Sequence, residues 1–391
     1  MDDFLHIPKT SGSSLRTILA KQYGLNRIAY FEPGNPQLKG RNAVIALKEE
    51  LTSREIGLVT GHHEFGLHAA ISRPIRYFSM VREPISRAAS DYFFAYSYEH
   101  HRLRSEILSG SLTPEAFLIE GQKAGPFDIQ CRMLSGRSGE TRNAAEQAFE
   151  TAERCFAVVG VAEQFDESLL LMAKRLGWSP PLYATRNVTR LSAEIEVKRK
   201  RSEEKVRAHF ADRYAADLKL HELVKAKLSR DTEAEGAQFS RALEAFREMQ
   251  AFIENANQAE KYDRYEFAAK DRLPDVQYKL KGSHPYRVLE EYLQSSSVPA
   301  RPRNYVGHVD IVGDRTVGGW AIDLASDEPI KVRIYCEGRK IGAAIAGSER
   351  PDVKAARGIR SNVGFTVNLN EEISNNTSDV YACFEDSFIK I

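Results

Sequence analysis

The sequence predicts an α/β fold, a mainly parallel sheet flanked by helices, with a long helical segment and a small C-terminal β-sandwich-like domain. Three observations predict it. Short apolar runs alternate with helical patterns over residues 1–190; a stretch nearly free of Gly and Pro follows; short β-type runs separated by turn residues close the chain. Strand, loop and helix in repeated order is the signature of a parallel sheet with helical crossovers. The expected strands are 4–7, 56–60, 76–81 and 156–161, and the expected helices 13–23, 84–96, 144–154 and 166–176. Residues 192–260 are dense in Ala, Glu, Lys, Arg and Leu, and apolar positions in HFADRYAADLKLHELVKAKL recur at helical spacing. That pattern predicts one long helix and then a second over 237–255. The charged run KRKRSEEK at 198–205 reads as a solvated helix face. A polar stretch rich in Ser, Pro and Arg reads as a linker over 295–304. Runs such as VGGWAI, IKVRIYCEG and GFTVNL then predict the β domain over 305–391. The expected organisation is an α/β core over 1–190 and a helical segment over 191–294, together one domain, then the linker and the β-rich accessory domain.

The chain has 391 residues, long enough for more than one domain, with 42% hydrophobic and 28% charged residues, as in a globular protein with a full core. Its formal net charge of +1 gives no global reason to expect nucleic acid or an anionic membrane surface, so any anion site must be local. The longest apolar run, CFAVVGVA, falls far short of the roughly 20 residues that span a bilayer. No charged start leading into an apolar stretch opens the chain, so no signal peptide is expected. The four cysteines, Cys131, Cys155, Cys336 and Cys383, lack metal-ligand spacing and read as reduced thiols of a cytoplasmic protein.

Two segments carry chemistry. In FLHIPKTSGSSL, from Phe4 to Leu15, an apolar strand runs into a small-residue loop and a helix starts within the serines. Free backbone N–H groups and a helix N-terminus make such a turn an anion cradle. Lys9 adds a full charge, and Thr10, Ser11, Ser13 and Ser14 add hydroxyls. The start is therefore P-loop-like, although the Walker A order is absent because Lys9 precedes Gly12, the loop's single glycine. An ordinary Ser/Thr-capped helix accounts for the same residues without a ligand. In YFSMVREPISRAASDY, from Tyr77 to Tyr92, an apolar strand ends in Arg82, Pro84 opens a helix, and Ser90 follows two turns later. Arg82, a planar and permanently charged fork, and Ser90 can converge on one phosphate. The alternative pairs Arg82 with Glu83 and leaves Ser90 on a helix surface.

Taken together, HIPKTSGSSL resembles the 5′-phosphosulfate loop of sulfotransferases and VREPISRAASDYF their 3′-phosphate motif. Both are most similar to carbohydrate sulfotransferases of the heparan and dermatan 2-O-sulfotransferase type and their bacterial relatives. TGHHEFGLH, FDIQCRMLSG, VVGVAEQFDESLLLM and TRNVTR fit the same pattern, so the resemblance covers about residues 3–190. Ser11 stands where Gly is common, and Glu83 where Asp is common. The resemblance implies that Lys9, Thr10, Ser11, Gly12, Ser13 and Ser14 hold the 5′-phosphosulfate of 3′-phosphoadenosine-5′-phosphosulfate (PAPS). It implies that Arg82 and Ser90 hold the 3′-phosphate, that His62 of Gly61-His62 is the general base, and that Lys9 stabilises the leaving group. No metal is required. The acceptor would be a carbohydrate or glycolipid hydroxyl.

His63, His68 and Glu64 compete with His62 for the role of base, whereas His6 reads as a packing residue. Gln130 and Arg132 border either the acceptor or the nucleotide, or lie on a helix surface; Arg186 and Asn187 sit in a loop able to close over the nucleotide. Trp320 and Tyr335 of the β domain stack on sugars or fill its core. Two other readings stand beside the transferase. A nucleotide-dependent kinase shares the cradle but lacks here a Walker A lysine and a Mg²⁺-binding Asp signature. A non-catalytic glycan-binding protein is the other.

Overall fold

A computed structural model describes residues 1–33, 42–120, 127–137, 143–183, 192–258, 280–295, 302–336, 339–369, 373, 380–385 and 389–391. In chain order the first part runs β1 Asp2–Leu5, α1 Gly12–Tyr23, β2 Ile28–Tyr30, α2 Ala43–Ser53, β3 Leu58–Gly61, α3 Leu67–Ile71, β4 Arg76–Val81 and α4 Pro84–Ser97. It continues through α5 Arg104–Leu108, α6 Pro114–Glu120, α7 Ile129–Ser135, α8 Ala144–Cys155, β5 Phe156–Val161 and α9 Phe165–Leu176. The five strands form one sheet in the order β2-β3-β1-β4-β5, with every neighbouring pair parallel. Parallel strands are covered on both faces and so read as apolar runs. β4 shows this, with Tyr77, Phe78, Met80 and Val81 fully buried.

The strand order places the site. The chain leaves β1 for β2 and β3 on one side, then crosses to β4 and β5 on the other. Ligands of open parallel sheets lie off the strands' carboxyl ends where the order reverses. Here those ends deliver the loop after Leu5, His62 after β3, and Arg82 after β4. The sequence pattern missed β2, whose three residues are too few for any periodicity to register.

The helical segment corrects the expectation of one long helix. It is broken into α10 Ala193–His209 and α11 Ala215–Ala234, joined by a 3-10 turn over Ala211–Tyr214. The break follows a change of partner. Val206 on α10 buries among α4 and α6 residues, whereas Leu220, Val224 and Leu228 on α11 bury in the core of the sheet. α12, Gly236–Gln258, contains the second expected helix and packs on helix His284–Gln294.

The C-terminal region is antiparallel. Its strands are β6 Tyr305–Val312, β7 Thr316–Asp323, β8 Ile330–Cys336, β9 Arg339–Ala346, β10 Ser348–Glu349, β11 Asn362–Asn368 and β12 Val380–Phe384. They form sheets in the orders β10-β11-β7-β6 and β12-β8-β9, with a short helix, Pro351–Arg357, between β10 and β11. Trp320 is 5% exposed and belongs to the core, and Tyr335 stacks on Tyr381 at 5.4 Å.

This region is tied to the sheet through buried polar groups. Of the expected linker, 296–301 lie outside the described residues. Arg303 donates its N–H to Arg154 O at 2.8 Å, and fully buried Asn304 accepts the N–H of Ile75 with Oδ1. Buried His68 lies 3.0 Å from Tyr305 O through Nε2 and 2.9 Å from the Tyr77 hydroxyl through Nδ1. The hydrophobic core is continuous from the parallel sheet through Tyr305 to Phe384. Among the described residues no helix is long and apolar enough to cross a membrane, and all four cysteines are free.

Candidate functional site

After β1 the chain turns sharply. Lys9 and Ser11 both hold positive φ, at 68° and 69°, a region that residues with a Cβ seldom occupy. Thr10 between them is fully buried and donates its hydroxyl to Ile7 O at 2.8 Å, so this hydroxyl closes the loop from within. α1 then begins without a side-chain cap, which leaves the first-turn N–H groups available at the loop mouth. Ser11 and Ser14 are half-buried there. Gly12 is required by contact, because a Cβ at that position would lie 1.8 Å from the His6 ring. The side chain of Ser13, and Arg186 and Asn187, lie outside the described residues.

Positive charge collects beside this loop. Arg82 Nη1 donates to Lys9 O at 3.2 Å, which ties the end of β4 to the turn. Gln130 holds Arg82 from the other side, its amide bonding both Arg82 N and Arg82 O at 2.9 Å. Gln130 is itself fully buried, so it is a positioning residue of the site and not a helix-surface residue. Burial, together with Arg82, Arg199 and Arg87, pushes the Lys9 ammonium down to about 8 against the attraction of Asp91. Burial and Arg199 likewise lower Arg82. Lys9 Nζ sits 4.0 Å over the Phe94 ring on α4, so it lies on the Arg82 side of the loop. Arg87 is 4% exposed, and its Nε has no hydrogen-bond partner among the described residues. Ser90 is half-buried on α4, and its hydroxyl makes no hydrogen bond among the described residues.

The three clustered histidines separate cleanly. His63 is buried with Nε2 3.2 Å from Asp3 Oδ1; burial opposes its charge, but the carboxylate outweighs that and holds it above its usual value. His68 is buried in the junction with the β region, where desolvation pushes it down to about 4. His62 alone is exposed. Its Nδ1 lies 2.7 Å from His6 O, and a carbonyl oxygen only accepts, so Nδ1 carries the proton. In the neutral ring the lone pair then lies on Nε2. The His6 ring lies 4.4 Å from that of His62, held down at about 3 by burial and the nearby charges of His62, Arg16 and Lys9. It is a neutral wall between the loop and His62.

His62 also borders a cleft of about 500 Å³ whose lining includes Phe31, Leu67, Met133, Glu64 and Arg132. Arg132 pairs with Glu64 at 3.3 Å, so that carboxylate is already engaged.

No protein-family profile matches the chain. No curated protein matches it either.

Sequence reasoning missed three contributors. Arg199 comes from α10, where the run 198–205 was read as a solvated face; Glu203 holds its Nε at 2.9 Å and also accepts the Ser86 hydroxyl of α4. Asp217 on α11 is fully buried and accepts the N–H groups of Gln130 and Cys131, which fixes the helix that carries Gln130. Asp91 follows Ser90 directly. The charge run was the only sequence signal for Arg199, and nothing local marks the other two.

Proposed function

We propose that this chain is a P-loop-like sulfotransferase that moves a sulfuryl group from PAPS to a hydroxyl of a carbohydrate acceptor, with release of 3′-phosphoadenosine 5′-phosphate (PAP). The observation that carries the reading is His62: an exposed imidazole, its tautomer set by a carbonyl, lying between a cationic loop and an open cleft. The donor fits the residues present. Lys9, Arg82, Arg87 and Arg199 crowd one another; Asp91 beside Lys9 and Glu163, Glu203 and Glu83 beside Arg82 offset part of their charge, and an anion of several charges relieves the remaining repulsion.

In this reading the first-turn N–H groups and Lys9 hold the 5′-phosphosulfate, and Arg82, kept in place by Gln130, takes the 3′-phosphate with Ser90. The donor supplies an activated sulfuryl group; the protein supplies position and charge. His62 Nε2 accepts the proton of the acceptor hydroxyl as its oxygen bonds to sulfur. The bond from sulfur to the phosphate oxygen breaks, and Lys9 and the helix N–H groups take up the charge left on that oxygen. His6 O stabilises the imidazolium that forms by accepting from Nδ1.

Thermal-shift measurements with PAP, ATP and GTP test the assignment, since a ligand that binds only the folded state raises Tm. PAP is expected to raise Tm without added metal and to exceed both triphosphates. A shift with ATP or GTP that needs Mg²⁺, with none from PAP, would return the chain to the kinase reading.

A further inference from the structure

A second groove of about 490 Å³ lies at the seam between the parallel-sheet part and the C-terminal β region. Three cations line it from three separate places: Lys48 on α2, Arg73 after α3, and Arg357 at the end of helix Pro351–Arg357. Thr52 and Ser72 add hydroxyls, and among the described residues no carboxylate lines it. Arg357 is fixed from both parts, donating to Ala69 O at 3.4 Å and lying 5.5 Å over the Trp320 ring. Lys48 and Arg73 are exposed, and among the described residues neither has an ion-pair partner. Elsewhere on this surface arginines are commonly matched, as Arg350 is by Asp310 and Asp352. Unmatched like charges facing one groove repel one another, a cost that an anionic ligand removes.

We propose that this seam groove is a second binding site, for an anionic saccharide bearing sulfate or carboxylate groups. Cations brought from three separate places, with the Ser72 hydroxyl beside them, suit charges spaced along a sugar chain better than one compact phosphate; the Thr52 hydroxyl already donates to Lys48 O at 2.9 Å. Among the described residues no aromatic side chain lines the groove to stack a base, and the chain's net charge of +1 provides no broad field for a nucleic-acid backbone. Position strengthens the assignment. Ala70 on α3 lines both this groove and the cleft beside His62, so one short helix separates the two. A saccharide held at the seam can extend past Ala70 toward His62; that last step rests on the sulfuryl-transfer reading, whereas the groove itself does not.

The test uses the full chain and size-defined dextran sulfate, compared by calorimetry with neutral dextran of the same length and with oligothymidylate of matched charge. Dextran sulfate is expected to bind most tightly and to weaken as salt rises. Reversing the two exposed cations in K48E/R73E is expected to lower its affinity about tenfold or more, while the PAP thermal shift stays as in the parent chain. Equal binding of dextran sulfate by the parent and K48E/R73E overturns the proposal, and so does tighter binding of oligothymidylate. A chain that takes dextran sulfate but not PAP keeps the groove and loses the transferase reading; one that takes PAP but not dextran sulfate does the reverse.

Discussion

At the scale of single residues, His62 and Lys9 carry separable roles, one in turnover and one in anion binding. His62→Ala removes an exposed side chain whose one described hydrogen bond is to His6 O, so fold and PAP affinity should survive. Turnover should fall about 10²-fold or more, the usual scale for a positioned base. Near-normal transfer by this variant in a PAPS-dependent assay would remove His62 from the mechanism. Lys9 titrates at about 8 in the folded chain instead of at 10.5, chiefly through burial. Its charge is therefore nearly complete a pH unit or more below about 8, half lost there, and gone well above it. Anion binding favours the charged form, so PAP affinity should hold on the acid side and decline above pH 8. Calorimetry in buffers of different ionisation enthalpy should show proton uptake there. Lys9→Arg, which stays charged, should flatten the decline, and an equally steep decline in that variant would assign it to another group.

At the scale of elements, what could be read from sequence was what is local in sequence. The loop from His6 to Ser14, the strand end at Arg82 and the Pro84 start of α4 each lie within one short segment, and all four longer strands of the sheet announced themselves as apolar runs. The break at Phe210 did not, because helical periodicity reports a buried face without saying against which neighbour it is buried. The charge run 198–205 was ambiguous for the same reason: only the docking of α10 on α4 turns Arg199 toward Lys9 and Arg82. Gln130 and Asp217 owe their roles to contacts across 48 and 87 positions, which no motif encodes. The element-level prediction is that Arg199→Ala weakens PAP several-fold, lowers Tm by roughly a few degrees because the side chain is mostly buried and paired with the buried Glu203 carboxylate, and raises the pH at which PAP affinity begins to fall, since one cation that lowers Lys9 is gone. An unchanged pH profile would show that α10 only packs against the site.

At the scale of the whole molecule, the anion loop and the β region are linked by stability but not by contact with the same ligand. Among the described residues, Lys9, Thr10 and Arg82 bond or pack within the parallel-sheet part, whereas the seam is held by buried polar groups paired across it. Asn304 shows this best. It is fully buried, its Oδ1 accepts from the Ile75 N–H one residue before β4, and its own N–H is donated to Asp323 Oδ1 at 2.8 Å. Asn304→Ala would strand the Ile75 N–H in the interior, at a cost of about 1–3 kcal/mol for one unsatisfied buried donor, offset in part because it also removes the buried Asn304 Nδ2, which has no hydrogen-bond partner among the described residues. In a chain of this size each kcal/mol lowers Tm by about 2–4 °C or somewhat less, so a drop of a few degrees is expected. Because the core runs unbroken from Tyr77 through Tyr305 to Phe384, the variant should still melt in one transition at that lower temperature. The PAP-induced increment in Tm should be the same as in the parent chain, since Lys9 and Arg82 keep their partners. Two separate transitions, with only the second stabilised by PAP, would mean that the seam does not couple the β region to the sheet and that His68, Asn304 and Tyr305 merely fill space between them.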